Sequence, residues 1–422
     1  MLDFAGSASI KDLLDSASIR ARADIDCTFR FLGSPFTIST NQLEALSFFQ
    51  KMYADFSLRT LKEKNVQSDY YVINEPDLLE TPFIWADEKI YICQQPRMLP
   101  LYAHSIITNS IMARIQSHFI FHAAAVSWRD QGMIILGDSC NGKSTITLEL
   151  IRRGFQFFTD DVTCLHRKNH QICPFPRALG LRQSAFGLFK GFIDADSHVT
   201  FMPYGQKKIF LLPSAIPKVK ISDPCLPKFL ICLSSYPRGE SGYESQNVRK
   251  YQDTFHEDKK SPDDKKFLYL GVDRFEDGMI KDLMALSGVE GCKKLGENPF
   301  PVLKLTGRRG YFLLPDIENL CSRHRVTLLQ IARSEKTITD YSQDPYMERI
   351  PKSVAMRELL RGFRGGWTSA VLKEANSGMA SMLFNLSPIM KGVECYRMIP
   401  GELGKMADLL YDLATGKVAK HE

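Results

Sequence analysis

The chain has 422 residues, 44% hydrophobic and 24% charged, enough to bury a large core divided among two or three domains. Its 54 basic and 48 acidic residues leave a net charge of +6, and no lysine-rich arm or aromatic–basic interleaving points to nucleic acid as a partner. No run is apolar for long enough to cross a bilayer, and the acid-bearing first 20 residues do not read as a secretory signal. The ten scattered cysteines suit reduced thiols, so a cytoplasmic protein with no membrane partner is expected.

Residues 1–20 have helical character. Residues 27–38 read as a strand hairpin turning at Gly33-Ser34-Pro35, and 41–56 as an amphipathic helix with Leu43, Leu46, Phe48, Phe49 and Met52 apolar. Short strands are expected at 70–73, 83–85 and 90–92. Together these make a small α/β domain over 1–96, with no chemical motif of its own. It reads as either a docking surface or a stabilising cap. A helix over 102–118 leads into the next segment.

That segment carries the chemistry. Gly137-Asp138-Ser139-Cys140-Asn141-Gly142-Lys143-Ser144 matches G-x-x-x-x-G-K-[ST] in full. In such a loop the glycines let successive backbone N–H groups turn inward around a phosphate. Lys143 can reach the outer phosphates, and the Ser144 hydroxyl, followed by Thr145, can ligate Mg²⁺. Apolar residues 133–136 before the motif have strand character. Residues 145–153 after it have helical spacing, and Gly154 is a ready C-cap. Strand, Gly-rich turn and helix are the context a phosphate loop requires, with the helix dipole favouring an anion. Residues 121–128 read as a further strand, joined to the loop-bearing strand by the tight turn Arg129–Gly132.

Residues 155–159 look like the neighbouring strand, ending in Asp160-Asp161, 17 and 18 residues beyond Lys143. Two carboxylates there can divide metal binding and proton acceptance between them. Cys164, His166, His170 and Cys173 could in principle ligate zinc, but VTCLHRKNHQIC reads more simply as a hairpin around a polar turn. Cys140, at a helix N-terminus, is expected to be a sensitive thiol without a catalytic role. Arg177 and Arg182 are candidates for phosphate oxygens, which guanidinium groups match bidentately. Arg152 and Arg153 are expected to serve the C-terminal dipole of the helix.

His122 in FHAAAV, the hairpin, GDSCNGKST, ELIRRG and TDDV together resemble the core of HPr kinase/phosphorylase, over roughly residues 118–185. That family shares its nucleotide fold with PEP carboxykinase. The Pro174–Arg182 segment, PFPRALGLR, is similar to that of HPr-kinase-like peptide serine kinases of natural-product pathways. The longer downstream signature of true HPr kinases is absent.

The resemblance implies an α/β fold with an HPr kinase/PEP carboxykinase-like P-loop core. It implies ATP or GTP as nucleotide and Mg²⁺ as metal. Asp160 becomes the base, His122 the residue that positions it, Lys143 and Arg177 the cations on the transferring phosphoryl, and Ser144 with Asp161 the metal ligands. The implied partner is a peptide or small protein carrying a serine. A homo-oligomer is left open.

The core is expected over 97–233, with strands at 210–213 and 229–233. Residues 234–266 then turn abruptly polar and read as a surface insertion. Residues 267–422 are expected to complete the kinase fold, with helices at 277–286, 316–323, 354–383 and 402–414 and strands at 301–305, 325–332 and 393–398. Two functional classes stay open: a kinase acting on the hydroxyl of a peptide (or of a small molecule such as free serine), and a non-catalytic nucleotide sensor. The combination of acids, histidine and P-loop favours the kinase, because a sensor needs no base.

Overall fold

The computed structural model describes residues 16–57, 69–137, 142–194, 198–201, 208–233, 265–286, 289–295, 301–308, 317, 320–321, 323–326, 328–332, 343–363 and 384–417. Expectations for residues 1–15, for loop residues 138–141, including Cys140, and for 234–264 lie outside these. The chain is mixed α/β, and among its described residues no helix is long and apolar enough to cross a membrane.

After a helix at Ser16–Arg22, β1 (Ile25–Phe31) and β2 (Ser34–Thr40) form the expected hairpin. Its turn is Leu32–Gly33, at φ 47° and 88°, rather than 33–35. Two left-handed central residues match the twist of paired strands, so the serine and proline start β2 instead. The helix Leu43–Met52 follows, ending in the 3-10 turn Ala54–Phe56. With β3 (Tyr70–Ile73), β4 (Phe83–Ala86) and β5 (Lys89–Ile92) the hairpin completes a five-stranded sheet in chain order.

The helix Leu99–Arg114 begins and ends earlier than its expected 102–118. It packs Leu99, Ala103, Ile107 and Ile111 into one cluster with Phe31 and Phe36 of the first sheet and Tyr53 after the helix Leu43–Met52, and that same cluster takes in Ile120, Cys164, Phe175 and Phe210. Apolar packing is therefore continuous from the first sheet into the segment that bears the motif.

The strand expected over 121–128 is two strands. β6 (His118–Phe121) and β7 (Ala124–Trp128) belong to different sheets, and His122 lies at the break between them. There its backbone N–H donates to the Gly362 carbonyl at 2.5 Å. Arg129 and Asp130, both at positive φ, close the hairpin from β7 to β8 (Gln131–Leu136). The helix Lys143–Arg152 comes next, then β9 (Gln156–Thr159), β10 (Thr163–His166) and β11 (Ile172–Cys173). β10 and β11 form the expected hairpin, with Cys164 opposite Cys173. β12 (Leu179–Arg182), the short helix Gln183–Gly187, β13 (His198–Phe201) and β14 (Lys208–Leu211) add a small sheet ordered β12-β14-β13.

β15 (Pro227–Leu233) lies parallel to β8. β16 (Lys265–Val272), β17 (Val289–Lys294), β18 (Val302–Arg308) and β19 (Leu328–Ala332), with the helix Asp277–Ala285, then build a separate antiparallel sheet. It has its own core of Leu268, Leu270, Met279, Leu283, Leu303 and Leu305. β20 (Tyr346–Arg349), the helix Lys352–Arg361, β21 (Glu394–Ile399) and the helix Leu403–Thr415 return to the sheet that holds β8 and β15. The long helical region expected over 354–383 stops at Gly362, and 364–383 lie outside the described residues.

The central sheet runs β20-β21-β15-β8-β7-β9, so the motif-bearing strand β8 is flanked by β15 and β7. Alternation at period two sorts its residues. Ala125, Ile134, Leu136, Leu230 and Cys395 face Ala355, Leu359 and Leu386 on one side. Ala124, Val126, Met133, Ile135 and Ile231 face Ile146, Leu150, Met406 and Leu410 on the other. Each fully buried Val, Leu, Ile or Met side chain stabilises by about 1.5–3 kcal/mol, so β8 is held from both faces as far as Leu136. Arg152 and Arg153 do more than complement a dipole. Both pair with the buried Glu149, and Arg153 also reaches Asp408 and the Gly404 carbonyl of the last helix.

Candidate active site

Gly137 follows β8 directly, and Gly142, at φ 80°, precedes the helix that begins at Lys143. Only glycine takes that left-handed conformation without strain. The Lys143 side chain is 7% exposed, and its ammonium donates to the Gly137 carbonyl at 2.6 Å, across the mouth of the loop. Ser144 and Thr145 stand in the first helical turn. The Ser144 hydroxyl donates to Asp160 Oδ2 at 2.9 Å.

Asp160 and Asp161 do not end the strand next to β8, because β7 lies between. They occupy the break between β9 and β10, opposite the break that holds His122. The register explains the meeting. Phe121 pairs with Thr163 and Ala125 with Thr159, so the two interruptions face each other where one antiparallel ladder gives way to the next. His122 Nδ1 lies 2.7 Å from Asp161 Oδ1. His122 Nε2 is buried with no hydrogen-bond partner among the described residues.

The two carboxylates differ sharply. Asp160 is 3% exposed, and its Oδ2 also accepts the Gly180 backbone N–H at 3.1 Å. Burial first, and then the charge of Asp161, pushes its carboxyl up to about 6, against the pull of Ser144, Arg177 and the Gly180 amide. The Asp161 side chain is 46% exposed. Burial would raise it too, but its hydrogen bond to His122 and its electrostatic attraction to His122, Arg177 and Lys143 hold it well below the usual carboxylate range. One acid thus stays ionised while its neighbour titrates close to neutrality, the division of acid–base character seen where paired carboxylates share a task.

A stability consequence follows. An unfolded aspartate titrates near about 3.9, so between roughly pH 4 and pH 6 the native state holds a proton that the unfolded chain has lost. Stability attributable to Asp160 is therefore full below about pH 4 and falls as pH rises through 6. Asp160→Asn is expected to raise the unfolding temperature at pH 8 by a few degrees, about 1–2 kcal/mol, with the gain vanishing toward pH 4. Thermal melts at both pH values check this, and a variant no more stable than its parent at pH 8 contradicts it.

Arg177 reaches the pair from the segment between β11 and β12. Its charge lowers both carboxyls, its Nη2 lies 2.9 Å from His104 Nε2, and its Nε is buried without a hydrogen-bond partner among the described residues. Arg182 ends β12 by its backbone. The Cys164–Cys173 hairpin lies just beyond the acids, with the Cys164 thiol hydrogen-bonded to the Val162 carbonyl. Loop residues Asp138, Ser139, Cys140 and Asn141 are outside the described residues. The rest of the expected set, from His122 through Lys143 and Ser144 to Asp160, Asp161 and Arg177, converges on one place.

Sequence reasoning missed four residues. The Gly180 amide carries no side-chain signal at all. His104 and Thr108, polar residues four apart in an otherwise apolar helical stripe, were a readable sign of a buried polar contact. Tyr53, which both of them touch, was hidden among aromatic core residues.

The family model described as the HPr Serine kinase C-terminal domain matches residues 113–177. The structure of the Hpr(Ser) kinase/phosphatase from Coxiella burnetii is similar at 23% identity, covering 27% of this chain and 64% of that one. The TM-score is 0.19, which carries no weight for the fold, and the chain spans less than two thirds of that protein's length. No curated protein matches the chain. His122, the glycine-rich motif, Asp160, Asp161 and Arg177 all fall within the matched interval. Residues 113–177 are thus similar to the HPr serine kinase C-terminal domain, and this part of the chain is HPr-kinase-like.

Proposed function

We propose that the protein is a Mg²⁺- and ATP-dependent kinase that transfers the γ-phosphoryl group to a serine hydroxyl of a peptide or small protein. The observation that carries the reading is the convergence of Lys143, Ser144, the Asp160–Asp161 pair, His122 and Arg177 around the end of one glycine-rich turn. Ser144 Oγ and the two carboxylates are hard oxygen donors, the ligand type Mg²⁺ takes. Bound there with nucleotide, the ion would offset phosphate charge during transfer.

In this reading Lys143 leaves the Gly137 carbonyl for the outer phosphates, and the unpaired Arg177 Nε faces the transferring group. Asp160, at about 6, has the basicity to take a proton from an alcohol near neutral pH. Asp161, held ionised by His122, belongs with Ser144 on the metal side. One observation favours the opposite division. Asp160 already accepts from Ser144 and Gly180, while Asp161 is open to solvent and tied to a histidine whose Nε2 is unpartnered. On that division the Asp161–His122 pair takes the proton and Asp160 stays with the metal.

A peptide acceptor is preferred to a free amino acid because the chain carries extra layers beyond the sheet that bears the site. The first five-stranded sheet and the β16–β19 sheet are far more than a nucleotide pocket needs. The test is mass spectrometry of serine-containing peptides encoded beside the gene, incubated with protein, ATP and Mg²⁺. A gain of one phosphate on a serine is expected. Phosphorylation of free serine alone, with every peptide untouched, would replace the peptide reading by a small-molecule kinase.

A further inference from the structure

The first sheet has no motif, yet a buried polar chain runs from Tyr53, at the end of the helix packed on it, to Arg177, whose charge acts on the acid pair. Tyr53, at the end of the helix Leu43–Met52, is fully buried, with its ring 5.1 Å from those of both Phe29 and Phe31. Its hydroxyl lies 2.7 Å from His104 Nδ1 and 3.1 Å from Thr108 Oγ1. His104 is 4% exposed, and its second ring nitrogen meets Arg177 Nη2 at 2.9 Å.

Donor chemistry orients the whole chain. A guanidinium only donates, so His104 Nε2 must accept from Arg177 and the ring proton sits on Nδ1. Nδ1–H then donates to the Tyr53 oxygen, whose own proton goes to Thr108. The backbone is gripped as well. Phe175, two residues before Arg177, is wedged between Phe31 and Phe56, with ring centroids at 5.0 and 4.9 Å. The guanidinium is thereby fixed at one nitrogen, while its buried Nε is left without a partner among the described residues.

The geometry points to His104 as a positioning residue: held by Tyr53, it fixes the Arg177 guanidinium beside the Asp160–Asp161 site, so that the helices packed on the first sheet complete the phosphoryl-binding apparatus. This rests on the kinase reading for its catalytic consequence, though the contact itself does not. A bidentate donor misplaced by about 1 Å loses on the order of 10²-fold in rate, so the expected loss is large for residues remote from the chemistry.

Two measurements test it together. In ¹⁵N-histidine-labelled protein at pH 7, two-bond ¹⁵N–¹H spectra, with His104→Gln to assign the signal, should show His104 neutral and protonated on Nδ1. An Nε2–H ring or an imidazolium cannot accept from Arg177 and would overturn the contact. In steady-state kinetics, His104→Leu should lower kcat by about 10–100-fold with KM for ATP unchanged. His104→Gln, whose side-chain oxygen can replace Nε2 as acceptor, should recover most of that loss. Added to Arg177→Ala, His104→Leu should cost nothing further, because both remove one interaction. A glutamine variant as impaired as the leucine one, or full additivity with Arg177→Ala, would reduce His104 to a core residue and overturn the proposal. If His104→Leu does not fold, Tyr53→Phe, which removes one hydroxyl, carries the same additivity test. A wild-type protein with no transfer activity would sink the kinase reading and the catalytic role together, and the tautomer measurement would still decide the contact.

Discussion

Lys143→Ala is expected to lower phosphoryl transfer by about 10³-fold or more, some 4 kcal/mol of transition-state stabilisation. The lysine opens the helix after Gly142, is almost wholly buried, and bridges back to the Gly137 carbonyl just past β8. An ammonium held there sits where the outer phosphates of a nucleotide in the glycine-rich turn would lie, and no other lysine is placed at the loop by the motif. Folding should survive the change, since it removes a buried charge whose desolvation is itself costly and leaves one carbonyl exposed to the loop. Lys143→Arg is not expected to rescue, because a planar fork does not fit the space of a buried point charge. A rate within tenfold of the parent in the alanine variant would remove Lys143 from the mechanism.

The second large effect concerns the acids. Asp160→Asn is expected to cut transfer by roughly 10²–10⁴-fold while nucleotide still binds, because it keeps the shape and removes the proton acceptor. Asp161→Asn should instead raise the Mg²⁺ concentration needed for half-maximal rate. The same Asp160→Asn variant is the one expected to melt later at pH 8, so activity and stability should move in opposite directions at one residue. That pairing is hard to obtain from a generally disrupted fold. If Asp161→Asn and His122→Ala give the large rate loss and Asp160→Asn the metal effect, the proton goes to the Asp161–His122 pair. Equal rates for both asparagine variants and the parent would deny the pair any part in the chemistry.

Local pattern carried much of this site. The apolar run before Gly137, the helical spacing after Lys143 and the Gly154 stop were all readable, and each element stands where its residues imply. The hairpins into β8 and after Asp161 were legible from turn chemistry. Long-range pairing was not. Nothing in FHAAAVSW shows that the chain changes sheets at His122, because the break depends on β6 and β7 taking different partners, β10 and β9, and on the Gly362 carbonyl. The same blindness put Asp160 and Asp161 beside β8, although β7 intervenes. The first turn was misplaced by one residue because Leu32 carries a positive φ that no propensity assigns to leucine. That β16–β19 share a hydrophobic cluster of their own was not legible either, because it is a matter of contacts rather than composition.

The central claim is that the turn between Gly137 and Ser144 holds a nucleoside triphosphate with Mg²⁺. Calorimetric titration of the full chain with ATP, with and without Mg²⁺, tests it most directly. The account predicts saturable binding near one nucleotide per chain that strengthens with Mg²⁺ and is lost or much weakened in Lys143→Ala. Absence of any Mg²⁺-dependent affinity for ATP or GTP in folded wild-type protein would contradict it.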